Sequence, residues 1–144
     1  MAKKKIEKID AKIALFIKEA GDKSKYNVEQ QKIYTAFTRK TGKPINFKIT
    51  DCEGVDYNVS LDSTKEVKKI LCKHYKEQNG TVLIADIFNM FDVIRTGVKN
   101  YNHGNIVYTK RYTIKGEVYF FVIKLLKNGN KAMLKSFYSN RGYI

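Results

Sequence analysis

Ile6, Ile9, Ile13, Phe16 and Ile17 recur at intervals of three and four. This spacing gathers side chains on one side of an α-helix, so residues 3–20 are expected to form an amphipathic helix ended by Gly21. A second helix is expected over 28–39, announced by Asn27 as N-cap, presenting Ile33, Tyr34 and Phe37, and stopped by Gly42 and Pro44. From Pro44 the period changes to two. Ile45, Phe47 and Ile49 alternate with polar residues, Asp51-Cys52-Glu53-Gly54 supplies turn chemistry, and Val55, Tyr57 and Val59 alternate again, which predicts a hairpin.

Ser63-Thr64-Lys65-Glu66 reads as a capping box, so a helix is expected from 63 to about 78, ending near Asn79-Gly80. Its inner face is Val67, Ile70, Leu71 and His74, which puts an imidazole on the apolar stripe or at its rim. Ile84, Ile87, Phe88, Phe91 and Ile94 predict one further short helix closed by Gly97, followed by an Asn100–Gly104 loop. The chain then becomes β: 106–112, 117–126 and 131–138, separated by short turns that imply an antiparallel meander. Val118–Ile123 is apolar at every position, which predicts a strand covered on both faces. The fold expected is α+β: N-terminal helices and a β-hairpin, then helices packed on a C-terminal antiparallel sheet. At 144 residues the chain has room for one core, read as a domain over 44–144 with an N-terminal helical extension over 1–43.

Charge then narrows the function. Twenty-eight Lys and Arg stand against fourteen Asp and Glu, a net +14. Residues 93–144 hold ten basic residues and a single acid, Glu117, for +9 in that segment. Such a concentration favours a polyanionic partner, nucleic acid above all, with RNA preferred to DNA. Two cysteines, Cys52 and Cys72, give no disulfide framework, and two histidines without a CxxC or HExxH motif offer too few ligands for zinc. No metal and no cofactor are expected. The N-terminal apolar positions are interrupted by Lys12, Lys18 and Glu19, so no signal peptide or membrane span is read and a cytoplasmic location is expected. Attachment of the first helix to a membrane surface is disfavoured by Glu7, Asp10 and Glu19.

Metal-free cleavage of RNA needs a base for the 2′-hydroxyl proton, an acid for the leaving oxygen and cations for the growing negative charge. His74 and His103 are the candidate acid–base groups, since imidazole titrates near neutrality. Lys73, Arg95, Lys110 and Arg111 are candidate phosphate ligands, although Lys110 and Arg111 point to opposite faces of one strand. Ser136 and Tyr138, two apart, should project from one face of the last strand. Lys99, Lys135 and a C-terminal tail reaching a phosphate through Arg141 extend the basic surface. Ten tyrosines, among them Tyr101, Tyr108, Tyr112, Tyr138 and Tyr143 near basic residues, offer stacking platforms for unpaired bases.

Four stretches, Ile70-Leu71-Cys72-Lys73-His74, Ile106-Val107-Tyr108-Thr109-Lys110, Tyr119-Phe120-Phe121-Val122-Ile123-Lys124 and Leu134-Lys135-Ser136-Phe137-Tyr138, carry a resemblance. The region from 63 to 138 resembles phage-associated members of the barnase, EndoU, colicin and RelE-like (BECR-fold) ribonuclease superfamily. Lys73 stands where arginine is commoner, and Ser136 where threonine is commoner. The resemblance implies a metal-independent endoribonuclease, toxin- or phage-associated, that cuts by attack of the 2′-hydroxyl on the adjacent phosphate. His74 would be the acid–base group, Lys110 or Arg111 would stabilise the phosphorane, and Ser136 and Tyr138 would orient phosphate or base. A toxin of this kind implies an acidic inhibitor as partner. The rival reading is a non-catalytic RNA- or DNA-binding module, or a phage-encoded inhibitor of a host nucleic-acid-binding protein.

Overall fold

In the computed structural model, the backbone of residues 2–141 is described, with the side chains of that range apart from residues 2–7 and 114. Helix α1 (Ala2–Ala20) and helix α2 (Val28–Thr38) form where the periodicity places them. Asn27 caps α2: its Oδ1 accepts from the Gln30 amide at 2.8 Å while Gln30 Oε1 accepts from the Asn27 amide. The hairpin of β1 (Ile45–Thr50) and β2 (Asp56–Leu61) turns on Asp51, whose Oδ1 accepts from the amides of Glu53 and Val55 at 2.9 Å. The meander is β4 (Asn105–Ile114), β5 (Glu117–Asn128) and β6 (Lys131–Ser139).

These strands join one six-stranded mixed sheet in the order β1-β2-β6-β5-β4-β3, with β3 being Val98–Asn102. Its parallel pairing is β2 against β6, from Asn58↔Lys131 to Ser60↔Met133. The fold is therefore α+β as expected, with the hairpin built into the sheet rather than standing beside it.

Several local expectations are corrected. The third helix, α3 (Glu66–Lys73), is half the expected length. Ser63 does not cap it. Its hydroxyl is buried and taken, donating to the Ala36 carbonyl at 2.8 Å and accepting from Arg39 Nε at 3.0 Å. The helix stops at Lys73 because the next residues pair with Val82: its amide donates to the His74 carbonyl at 2.9 Å, and its carbonyl accepts from Lys76 at 3.0 Å.

The helix expected over 84–96 is two, α4 (Ile84–Phe88) and α5 (Asp92–Thr96). Phe88, Met90, Phe91, Val93 and Ile94 are all buried, an arc too wide for one helical stripe, and the break turns both sets inward. The stretch read as a loop over 100–104 is mostly the edge strand β3, and the turn itself is only His103-Gly104, both at positive φ. Val118–Ile123 is not covered on both faces: Val118 and Phe120 are 42% and 39% exposed.

Only one face of the sheet is covered. Tyr57, Val59, Ile106, Tyr108, Phe121, Ile123, Leu134 and Phe137 point into the helices, and their strand neighbours point to solvent. Phe16 of α1 is completely buried, 5.4 Å from the Phe37 ring, 5.5 Å from Phe88 and 5.8 Å from Tyr75. Residues of α1 and α2 thus belong to the same core as the sheet.

Candidate nucleic-acid interface

The parallel β2–β6 pairing ends at Met133, while β6 continues to Ser139. Beyond that point α3 lies alongside β6 in place of a strand, and residues 80–81 meet the end of β6: the Ser139 amide donates to the Gly80 carbonyl at 3.3 Å, and the Thr81 amide donates to the Arg141 carbonyl at 3.1 Å. A groove of about 320 Å³ runs between α3 and the open face of the sheet. Lys69, Lys73 and His74 line it from the helix, and Asn105, Lys124, Lys135 and Ser136 from the strands. Glu66 is its one carboxylate, 3.5 Å from Lys69 Nζ.

A register shift builds the strand side. Leu125 pairs with Leu134 but Lys124 with Ser136, so Lys135 is the extra residue of a β-bulge. Leu134 and Phe137 both stay in the core, and the two residues between them both border the groove. Strict alternation from Leu134 would have turned Ser136 inward and Phe137 to the open face. Tyr138 shares this open face, and its ring lies 5.5 Å from the His74 ring at 30°. Lys124 Nζ stands 5.6 Å from the Tyr138 ring centroid, within cation–π range.

His74 ends α3 as its C-cap and is half-buried. Its Nδ1 lies 3.4 Å from the Asn79 carbonyl, an obligate acceptor, a contact that favours the neutral tautomer with its proton on Nδ1. Burial pulls the imidazole below its ordinary 6.5, and Lys73 acts in the same direction. The carbonyl contacts oppose both, and the net shift is downward. Gly80 packs against this ring: a Cβ there would stand 3.1 Å from His74 Nδ1. The arrangement can hold a phosphodiester among ammonium groups with a neutral imidazole beside it.

The structure therefore brings together His74, Lys73, Lys135, Ser136 and Tyr138. It does not bring in the others. Arg111 is on the open face, but its partner Phe120 lies four residues along β5 from Lys124, about 13 Å away. Lys110 is on the helix-covered face beside Tyr112, 5.0 Å from its ring centroid. His103 is exposed in the β3–β4 turn.

Four expected nucleic-acid contacts have partners within the fold. Arg95 is forked onto Glu29, with Nη1 at 3.1 Å from Oε2, and reaches Asp92 at 3.4 Å. Lys99 has a side chain 2% exposed, with Nζ 2.8 Å from Asp51 Oδ2 and 3.2 Å from the Tyr57 hydroxyl. Tyr108 is fully buried and donates to Asp51 Oδ2 at 2.7 Å. Arg141 belongs to no free tail: it is 3.0 Å from Asp86 Oδ2 and packs over the Tyr119 and Phe121 rings. Tyr143 lies outside the described residues.

Sequence reasoning overlooked Lys124, Lys69, Glu66 and Asn105 as lining residues. The three-residue step from Leu134 to Phe137, which breaks a period of two, was the available signal for the bulge. Among the described residues no cluster of His, Cys, Asp and Glu could hold a metal ion, and no helix is long and apolar enough to cross a membrane. No family model, curated protein or solved structure matches this chain.

Proposed function

We propose that the protein is a metal-independent endoribonuclease of the BECR type that cuts RNA in the groove between α3 and the sheet. The observation that carries this reading is the placement of one half-buried imidazole, its Nε2 lone pair unblocked by the Asn79 contact, beside Lys73, Lys124 and Lys135. His74 Nε2 takes the proton of a 2′-hydroxyl, whose oxygen attacks the adjacent phosphorus. The P–O5′ bond breaks, and the departing oxygen takes a proton from a neighbouring ammonium, leaving a 2′,3′-cyclic phosphate. Lys73, Lys124 and Lys135 offset the charge that grows on the phosphorane, and Ser136 and Tyr138 orient it.

This assignment revises the cation set: Lys124 takes the part that the family resemblance implies for Lys110 or Arg111. A second reading, a non-catalytic RNA-binding module, is favoured by the presence of only one histidine in the groove, with no second acid–base partner beside it.

Incubation with total RNA in EDTA, followed by end-group analysis, separates the two. Fragments with cyclic phosphate ends are expected from the parent protein, with His74→Gln lowering cleavage about 10²–10⁴-fold while RNA binding persists. Bound but intact RNA from folded parent protein would leave the binding module.

A further inference from the structure

We infer that the open face carries a second subsite, next to the phosphate groove, which takes an unpaired nucleobase of the bound RNA strand and restricts the protein to single-stranded RNA. This rests on the reading of the groove given above. The register of the sheet places five residues in one transverse row: Asn46 on β1, Ser60 on β2, Met133 on β6, Leu126 on β5 and Asn105 on β4. A recess of about 490 Å³ lies over the β1, β2, β6 and β5 part of this row. Leu126 and Met133, 43% and 42% exposed, sit side by side as its floor.

The floor's surroundings select the ligand. Lys127 and Lys131 border the recess, and Lys124 is two residues from Leu126, about 7 Å along the strand, so a strand held at the groove has cations on both sides of the recess. Asn46 and Asn58 border it on the far side with side-chain amides. Asn105, paired with Leu126 at the end of this row, lines the neighbouring groove rather than the recess, and its Oδ1 is buried with no partner among the described residues. A buried acceptor left without a donor is costly, and an N–H of a base lying on Leu126 and Met133 would relieve it. Two apolar side chains ringed by amides are too small a patch for a lipid surface. They suit one flat heterocycle with polar edges, whose face is accessible only when the base is unstacked, so a duplex cannot use the site.

The test measures binding of the whole protein to a 2′-O-methyl RNA oligomer, which lacks the attacking hydroxyl, to the same backbone without bases, and to a duplex. The variants are Leu126→Ser with Met133→Ser, both at exposed positions, Asn105→Ala, and Lys124→Ala. Expected is about a tenfold weakening of the base-bearing strand by the double variant and a smaller one by Asn105→Ala, with the abasic strand unchanged and the duplex bound no better than the abasic strand. Lys124→Ala should weaken both single strands. If the double variant weakens base-bearing and abasic strands equally, or neither, while Lys124→Ala still weakens both, the base subsite is overturned and the phosphate groove stands. If Lys124→Ala weakens neither strand, the groove reading falls and the subsite falls with it.

Discussion

His74 is held in its neutral form by the position that makes it a candidate base. Burial and the Lys73 ammonium disfavour the imidazolium, so the folded-state value lies below the ordinary 6.5. Cleavage should rise with pH through a midpoint below 6.5 and level off above it; a midpoint at or above 6.5 would contradict the assignment. The sign for stability agrees. The unfolded chain binds this proton more readily, so the contribution is full above the unfolded value and declines as pH falls below it. Asp51 is the opposite kind of residue, a carboxylate used for architecture. Burial would push its carboxyl up, but Lys99, Tyr108 and the amides of Val55 and Glu53 overcome this and hold it at about 2, below the ordinary 3.8. Its contribution is complete above 3.8 and is lost as pH falls toward 2. Asp51→Ala strands the Lys99 ammonium, whose side chain is 2% exposed, and should lower the unfolding free energy by about 3–5 kcal/mol in denaturant titration. A loss below 1 kcal/mol would mean that Lys99 finds water instead.

At the scale of elements, the short α3 and the Gly80 turn determine where His74 sits. Gly80 has φ +63, and an added Cβ would lie 3.1 Å from both His74 Nδ1 and the Ser139 carbonyl. Gly80→Ala should therefore destabilise the fold by about 1–2 kcal/mol and lower cleavage further than the remaining folded fraction explains, by displacing the ring. Cleavage that follows folded fraction alone would detach this turn from the site. The local signals in the sequence were reliable where one interaction decides the element: the Asn27 cap, the period-two hairpin and the meander turns all form as read. They failed where a tertiary contact competes. The Ser63 hydroxyl could cap a helix or tie Ala36 to Arg39, and no local pattern announces that the second option wins. The same limit hid the role of α1, whose Phe16 meets rings from three other parts of the chain.

For the whole molecule, the net +14 overstates the charge that a ligand meets. Arg95, Lys99 and Arg141 each lie against a carboxylate, a pairing that a count of basic residues in the C-terminal segment does not reveal. Side chains whose partners are distant in sequence cannot be sorted into paired and free by composition. His74, Ser136 and Tyr138 were legible because helix end and strand parity are local. Lys124, Lys127, Lys131 and Lys135 border the recesses of the open sheet face, with Lys73 facing them from α3. This division predicts how salt acts. Each phosphate neutralised on a single strand contributes roughly −0.7 to the slope of log K against log salt. Lys124→Ala combined with Lys135→Ala should therefore flatten the slope by about 1.4 and leave the melting temperature nearly unchanged, because both side chains lie outside the core. Arg95→Ala should do the reverse, lowering the melting temperature through the loss of the Glu29 fork and leaving the slope as it was. Equal slopes for the two variants would show that binding follows total charge rather than one face, and the groove would lose its claim to be the interface.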